Sequence, residues 1–282
     1  MRSLSCLTVL TACFISTASY AAINEEVIDV PVTVKDMYGK EASQAIKVTI
    51  FRDDSKAKSP YLVLNHGRPT NETYFAQMDR VRYGELASYF VEKGFAVLVP
   101  TRVGYGVTGG MDAEYSGSCS GKVFAPGFDA AAEQVSATIK HSEQLPFIDS
   151  SRGVVVGWSY GGITSVKVAT LNIPSLKGVV NIAGGSGGSS QIGYPCRGDL
   201  IGKLYTEYGA SAKVPSLWLY SPNDKLWGDK LPKEWFEKYS NAGGKGKFVE
   251  LPPYKDNGHM VFTGNPDAWL PAVDEFIKQS GF

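Results

Sequence analysis

Six short apolar runs, separated by stretches with helical spacing, constrain the fold of this chain most strongly. Runs without polar alternation are typical of strands buried on both faces. Such strands alternating with helices predict a parallel sheet with helices packed on both of its faces. The runs are Tyr61–Leu64, Phe95–Val99, Gly153–Val156, Val179–Ile182, Leu217–Tyr220 and Phe248–Leu251.

Two earlier segments, Val27–Val34 and Ala45–Phe51, alternate apolar and polar residues, which predicts an antiparallel hairpin with one wetter face. Helical periodicity covers Tyr83–Lys93, Asp129–His141 and Pro266–Lys278. The packed face of the last of these is predicted to consist of Trp269, Leu270, Val273, Phe276 and Ile277.

The N-terminus has the pattern of a signal peptide. A basic start is followed by an apolar run over Leu4–Ile15 and by small residues that place the cleavage site after Ala21. A lipoprotein anchored through Cys13 is the less favoured alternative, because Phe14 and Ile15 continue the apolar run where a polar tether belongs. We therefore expect an exported chain, periplasmic or secreted, with residues 22–282 forming one α/β domain.

After cleavage, Cys119 and Cys196 are the remaining cysteines, and a pair in an exported protein predicts a disulfide. Two unrelated buried thiols are the alternative. Neither cysteine has metal-site spacing, and we expect no metal and no cofactor. The 28 basic and 28 acidic residues form no blocks, so nothing indicates a nucleic acid or an anionic membrane. A small or neutral molecule is the expected partner, and the oligomeric state is left open.

Gly157–Gly161, with the sequence Gly-Trp-Ser-Tyr-Gly, lies between a β-branched run and a helical segment. This context predicts a nucleophile elbow, in which Ser159 is exposed on a sharp strand-to-helix turn. The helix N-terminus beside Ser159 would stabilise an anion formed there.

A serine nucleophile needs a base, usually a histidine that a carboxylate orients. Of the three histidines, His259 follows the last predicted strand and is the candidate base, whereas His141 near a helix end is expected to be solvated. Asp224 directly follows a strand and is the favoured carboxylate. Asp256 is close to His259 in sequence but lies in the same loop, where it is poorly placed to orient that ring.

With these landmarks, the chain resembles the α/β-hydrolase superfamily, and within it the dienelactone-hydrolase-like and prolyl-oligopeptidase-like esterase branches. The resemblance covers the mature chain and rests on Asn65–Arg68, Gly157–Gly162, Ser221–Asp224 and Gly258–His259, in family order. It implies a mostly parallel eight-stranded sheet with helices on both faces and a short cap. It also implies that Ser159, His259 and Asp224 form a catalytic triad.

The resemblance further implies an oxyanion hole made by the backbone N–H groups of Tyr160 and Arg68. His66 is then a structural or substrate-lining residue, and Arg102 is a structural hydrogen-bonding residue or a ligand for a substrate carboxylate. The other expected lining residues are the aromatics Tyr105, Tyr194 and Trp227. If Cys119 is bonded to Cys196, the disulfide would pin the short cap, Gly184–Lys213.

The expected function is that of an exported serine hydrolase that cleaves small carboxylic esters through an acyl-enzyme intermediate. The serine nucleophile favours esters over the cyclic lactones of true dienelactone hydrolases, which use cysteine. A serine peptidase acting on small peptides is one alternative. A catalytically silent α/β-hydrolase that binds a ligand is another.

Overall fold

The computed structural model describes residues 23–69, 72–188 and 194–282, so the predicted signal peptide and Cys13 lie outside the described residues. The strands are β1 (Ile23–Lys35), β2 (Glu41–Asp53), β3 (Ser59–Asn65), β4 (Ala96–Thr101), β5 (Ile148–Trp158), β6 (Leu176–Ile182), β7 (Ser216–Tyr220) and β8 (Gly246–Glu250). The helices are α1 (Glu72–Phe75), α2 (Gly84–Glu92), α3 (Ala125–Ser142), α4 (Tyr160–Val168), α5 (Gly198–Ser211), α6 (Leu231–Asn241), α7 (Val261–Gly264) and α8 (Leu270–Gln279).

All the strands belong to one sheet in the order β1-β2-β4-β3-β5-β6-β7-β8. The long hairpin β1–β2 is antiparallel, and β2 joins the rest of the sheet by an antiparallel pairing with β4. Every other neighbouring pair is parallel. The predicted hairpin and the predicted parallel sheet are both confirmed.

Successive residues of a strand point to opposite faces of the sheet, and a different set of helices covers each face. In β3, Leu62 and Leu64 pack with α2 and α8 on one face. Tyr61 and Val63 face the opposite side, where α3 packs. Helices α4, α5 and α6 cover the same opposite face around an aromatic cluster that contains Trp218. Within the described residues, no helix combines the length and apolarity needed to cross a bilayer.

Two predicted elements differ from the structure. The last helix starts at Leu270 rather than Pro266, and a separate 3₁₀ turn covers Pro266–Ala268. Pro271 explains this, because its ring is tolerated only in the first turn of a helix. The segment Gly184–Lys213 is less of a cap than expected, since half of it is α5, which packs beside α6 on the sheet face.

The parallel strands bring distant parts of the chain to one edge of the sheet. Ser159 follows β5, Asp224 follows β7 and His259 follows β8. The segment Asn65–Arg68 lies at the same edge, with Asn65 ending β3 and the other residues in the loop that follows it. The carboxyl ends of parallel strands are where ligands bind in open α/β sheets, so a candidate site is expected here.

Candidate active site

Ser159 occupies a strained turn between the end of β5 and the start of α4. Its φ of 58° and ψ of −122° lie outside the regions that a residue with a side chain readily adopts. Such strain costs about 1–3 kcal/mol and persists only where the surrounding structure enforces it. The sharp turn is the elbow that the sequence predicts.

Two glycines let the strand and the helix approach each other at this turn. A Cβ on Gly157 would lie 2.0 Å from the carbonyl oxygen of Gly161. A Cβ on Gly161 would lie 2.1 Å from the carbonyl oxygen of Asn65, the last residue of β3. No side chain fits at either position, which explains both glycines of the motif.

Three predicted residues meet in a chain of hydrogen bonds. His259 Nε2 lies 3.0 Å from Ser159 Oγ, and His259 Nδ1 lies 2.9 Å from Asp224 Oδ2. A carboxylate only accepts, so Nδ1 carries the proton and donates to Asp224. Nε2 is then the lone-pair nitrogen and accepts from the Ser159 hydroxyl. Asp224 and His259 are buried, at 3% and 4% exposure. Asp256 is exposed in the loop that carries His259.

The carboxylate of Asp224 is held by the backbone of its own loop. Its Oδ1 accepts hydrogen bonds from the N–H groups of Leu226, at 2.8 Å, and Trp227, at 3.2 Å. These bonds leave Oδ2 facing His259. The backbone of the loop therefore fixes the orientation of the Asp224 carboxylate independently of the His259 imidazole.

Asn257, which the sequence analysis did not single out, joins the aspartate loop to the histidine loop. Its Oδ1 accepts from the N–H of His259, at 3.1 Å, and from the N–H of Lys225, at 3.0 Å. The sequence gives one local signal for the bond to His259, since an asparagine side chain often forms a hydrogen bond with the backbone two residues further along the chain. The bond to Lys225 crosses between loops and is visible only in three dimensions.

The loop after β3 lies against the nucleophile. A Cβ on Gly67 would come within 3.1 Å of Ser159 Cβ, so the backbone of this loop borders the serine directly. Tyr160 is the first residue of α4, and an N–H at that position has no partner within its own helix. Arg68 and Tyr160 both line the pocket beside Ser159. This arrangement is compatible with the two backbone donors that the resemblance implies.

Arg102 lies behind the pocket wall rather than in it, with no exposed side-chain surface. Its guanidinium bonds Glu114 at 2.5 Å, Asn65 Oδ1 at 2.6 Å and the His66 carbonyl at 2.8 Å. Burial would lower the pKa of Arg102, but the Glu114 carboxylate outweighs burial and raises that pKa. Of the two expected roles, the structural one agrees with this geometry.

His66 is buried in the same network. Its Nδ1 lies 2.7 Å from the Gly67 carbonyl oxygen, to which it donates, and its Nε2 accepts from the Arg102 N–H at 3.2 Å. Burial, with a further contribution from the Arg102 charge, holds the pKa of His66 well below its usual range. His66 is therefore neutral. One edge of the residue also lines an apolar pocket.

Tyr105 was expected to line the pocket, and this expectation is wrong. The side chain is fully buried and its hydroxyl donates to Glu114 Oε2 at 2.5 Å. Burial and the nearby Glu114 raise the pKa of Tyr105, which keeps the phenol protonated. Arg68 completes the network through two bonds to Asp112, at 2.7 and 2.5 Å. Sequence reasoning missed both carboxylates, because neither lies in a recognisable motif.

Two pockets meet at Ser159. The first, which we call the disulfide pocket, has a volume of about 380 Å³. Residues that line it include Tyr160, Trp227, Lys122 and both half-cystines of the Cys119–Cys196 disulfide. Trp227 therefore lines a pocket beside Ser159. Tyr194 lies on the surface with 61% exposure and lines neither pocket.

The second pocket, which we call the histidine pocket, lies on the other side of Ser159 and has a volume of about 370 Å³. Its wall is rich in aromatic and thioether side chains and includes the His259 ring. The apolar members are Tyr74, Met78, Tyr83, Trp158, Leu226 and Met260. Across the described ranges, no group of three or more His, Cys, Asp or Glu side chains is placed to hold a metal ion.

The fold resembles solved hydrolase structures at low sequence identity. An esterase of Pyrococcus furiosus shares 16% identity with a TM-score of 0.57, and the match covers 90% of each chain. A putative dienelactone hydrolase of Klebsiella pneumoniae shares 14% with a TM-score of 0.55, over 89% of this chain and 99% of that one. These matches show a common fold.

The acylaminoacyl peptidase of Pyrococcus horikoshii shares 14% identity with a TM-score of 0.55, and the match covers 90% of this chain. It covers only 41% of the peptidase, so the present chain spans less than half of its length. No curated protein matches this chain in sequence.

The sequence model of the alpha/beta hydrolase family matches residues 62–275. This range runs from β3 to α8 and contains the elbow, Asp224 and His259. The sheet order and the sharp turn at Ser159 agree with the match. The chain therefore belongs to the alpha/beta hydrolase family.

Proposed function

We propose that this protein is an exported serine hydrolase that cleaves carboxylic esters through an acyl-enzyme intermediate. The observation that carries the proposal is the bond chain Ser159 Oγ, His259 Nε2, His259 Nδ1 and Asp224 Oδ2, with distances of 3.0 and 2.9 Å. A nucleophile, a base and a carboxylate that orients the base are the parts that acyl transfer requires.

The first half of the reaction forms the acyl-enzyme. Ser159 Oγ attacks the ester carbonyl carbon while its proton passes to His259 Nε2, and Asp224 stabilises the imidazolium. The negative charge on the carbonyl oxygen is stabilised by the backbone N–H groups of Tyr160 and Arg68. The C–O bond to the alcohol then breaks, and His259 returns its proton to the leaving oxygen.

The second half releases the acid. A water molecule gives its proton to His259 Nε2 and attacks the acyl carbon, after which the Ser159–acyl bond breaks and Ser159 regains the proton. Esters are favoured as substrates by the resemblance to esterase branches. The full-length matches to an esterase and a putative dienelactone hydrolase add support, whereas the peptidase is matched over less than half its length.

A fluorophosphonate probe tests the mechanism, since it reacts covalently only with an activated serine. We expect labelling of the wild type at Ser159, no labelling of Ser159→Ala, and a fall in kcat of roughly 10⁴- to 10⁶-fold when Ser159 or His259 is replaced by alanine. Asp224→Asn should lose most activity, because an amide no longer orients the imidazole as a carboxylate does.

Two control variants distinguish loss of the catalytic triad from a general loss of folding. Asp256→Asn changes a neighbouring exposed carboxylate, and His141→Ala changes a histidine in the last turn of α3. Both should retain activity. A folded wild type that the probe does not label would refute the serine mechanism, and cleavage of peptides with no turnover of nitrophenyl esters would favour the peptidase.

Export is supported by the signal-peptide pattern of residues 1–21 and is compatible with the Cys119–Cys196 disulfide. Fractionation of expressing cells, followed by mass spectrometry of the N-terminus, tests it. We expect a mature chain that starts at Ala22 outside the cytoplasm. A cytoplasmic protein that retains Met1 would contradict the proposal, and a chain starting at a lipidated Cys13 would support the lipoprotein alternative.

A further inference from the structure

We infer that Asn65 is a positioning residue that sets the spacing between the two halves of the oxyanion hole. Its side-chain amide joins the end of β3 to the first turn of α4. These two segments carry the proposed backbone donors, the N–H groups of Arg68 and Tyr160. The inference rests on the proposed function, since it names a residue that supports the same serine site without touching the substrate.

The two backbone donors belong to different elements, so the distance between them depends on how those elements are joined. Arg68 lies in the loop after β3, whereas Tyr160 is the first residue of α4. A carbonyl oxygen that develops negative charge has to lie about 2.7–3.1 Å from both N–H groups at once. A shift of one segment by about 1 Å is therefore expected to cost up to about 100-fold in rate.

The Asn65 side chain is fully buried and forms hydrogen bonds in two directions. Its Nδ2 donates to the Gly161 carbonyl oxygen at 3.1 Å, and its Oδ1 accepts from Arg102 Nη1 at 2.6 Å. A guanidinium only donates and a carbonyl oxygen only accepts, so the amide has one possible orientation. Gly161 directly follows Tyr160, and the bond therefore holds α4 beside one of the two donors.

Arg102 holds the other end of this bridge. The same Nη1 that donates to Asn65 also donates to the His66 carbonyl oxygen, at 2.8 Å. Glu114 compensates the charge of Arg102, and neither of these two side chains is exposed. The Asn65 side chain and the main chain that leads to Arg68 are thus bound to one planar, buried group.

The peptide that carries the Arg68 N–H is fixed by His66. The Arg102 N–H donates to His66 Nε2 at 3.2 Å, so Nδ1 carries the proton and donates to the Gly67 carbonyl oxygen at 2.7 Å. In a trans peptide the C=O and N–H groups point in opposite directions. Because the Gly67 carbonyl faces the buried imidazole, the Arg68 N–H points away from this network. No described residue accepts a hydrogen bond from that N–H.

The two segments pack backbone against backbone where the amide joins them. A Cβ on Gly161 would lie 2.1 Å from the Asn65 carbonyl oxygen and 2.5 Å from that of His66. Such packing limits how near the segments come, but it does not prevent them from sliding past each other. A hydrogen bond is directional, so the amide of Asn65 supplies that constraint.

Asn65→Asp removes the bridge with little change in shape. The carboxylate can still accept from Arg102, but it has no N–H to donate to the Gly161 carbonyl oxygen. We expect kcat for 4-nitrophenyl acetate to fall by about 10- to 100-fold with little change in KM, because the donors act on charge that develops in the transition state. A wild-type kcat in this variant would overturn the inference.

A thionoester distinguishes misplaced donors from general damage. Sulfur replaces its carbonyl oxygen, and sulfur is a weak acceptor, so the oxyanion hole accelerates its cleavage less. The ratio of kcat/KM for 4-nitrophenyl acetate to that for 4-nitrophenyl thionoacetate should fall about tenfold in Asn65→Asp and in Asn65→Ala. Loss of folded protein lowers both rates equally, so the ratio is informative even for a variant that folds poorly. An unchanged ratio would refute the role of Asn65.

Ser165→Ala is the matched control. The Ser165 hydroxyl is buried and donates to the same Gly161 carbonyl oxygen, at 2.7 Å, but both residues lie in α4. Its removal deletes a bond to that oxygen without uncoupling the two segments, and the ratio of ester to thionoester rates should stay at the wild-type value. A fall equal to that in Asn65→Asp would contradict the bridging role.

The fluorophosphonate probe separates this inference from the proposed function. If the probe does not label Ser159 in the wild type and no ester is cleaved, the proposed function fails. If the wild type is labelled and cleaves 4-nitrophenyl acetate, and Asn65→Asp keeps the wild-type ratio, the serine mechanism stands and only the role of Asn65 fails.

Discussion

At the scale of single residues, Ser159 has an unfavourable backbone conformation that places its hydroxyl for catalysis at a cost in stability. Its positive φ is unfavourable for any residue with a Cβ. The same turn places Oγ 3.0 Å from His259 Nε2, at the junction of two pockets. The backbone around this turn packs so closely that a Cβ fits at neither Gly157 nor Gly161.

Replacing the serine separates strain from chemistry. Ser159→Ala and Ser159→Gly should both abolish ester hydrolysis. Glycine tolerates the turn, so Ser159→Gly should unfold with a free energy about 1 kcal/mol higher than Ser159→Ala, even after the greater entropy of its unfolded chain is included. Urea denaturation of the two variants measures the difference. A glycine variant that is less stable than the alanine variant would show that the turn is not strained.

At the scale of elements, a buried network connects the loop after β3 to the loop after β4. Arg102 joins Asn65, the His66 carbonyl and Glu114, and the Arg102 and Glu114 side chains have no exposed surface. The loop that carries Arg68 is therefore anchored from behind. We infer that this network positions the backbone N–H of Arg68, although none of these side chains would itself contact the carbonyl oxygen of the substrate.

Breaking the buried pair should be costly. Glu114→Gln removes the charge that compensates Arg102, and loss of one partner of a buried ion pair typically costs about 3–5 kcal/mol. We expect that loss in chemical denaturation, together with a lower kcat at temperatures where the variant stays folded. Asp199→Asn is the matched control, because it neutralises a carboxylate that pairs with Arg197 on the surface. It should have little effect on stability. Equal stability of the two variants would contradict the structural role of the network.

At the scale of the whole molecule, the disulfide connects regions that the sheet does not. Cys119 and Cys196 are 77 residues apart in sequence, and their bond links the turn before α3 to the start of α5. Cross-linking a loop of this length restricts the unfolded chain and stabilises the fold by at most about 4.5 kcal/mol in the chain-entropy model.

Removing the bond tests this contribution. The double variant Cys119→Ser/Cys196→Ser should lose up to about 4.5 kcal/mol of unfolding free energy, because the unfolded chain is no longer restricted by the cross-link. Denaturation curves of the variant and the wild type measure the loss. Two free thiols in the purified wild type, detected by alkylation and mass spectrometry, would contradict the bond itself.

The sequence by itself determined the hairpin, the parallel core and the existence of α2, α3, α4 and α8, because uninterrupted apolar runs and helical spacing are local properties of the chain, whereas α5 and α6 were not predicted. It also determined the elbow and the order of Ser159, Asp224 and His259, since these residues follow strands that end at one edge of the sheet. The predicted last helix begins at Pro266 and α8 begins at Leu270, because Pro271 is tolerated only in the first turn of a helix.

Only the tertiary structure decided how the site is supported. The burial of Arg102 and Tyr105 behind the wall, the carboxylates of Asp112 and Glu114, and the bridge made by Asn257 depend on contacts between loops far apart in sequence. The same holds for the division of the space around Ser159 into two pockets. Local patterns report which residues lie at the sheet edge, whereas the way side chains pair across that edge depends on distances set by the folded sheet.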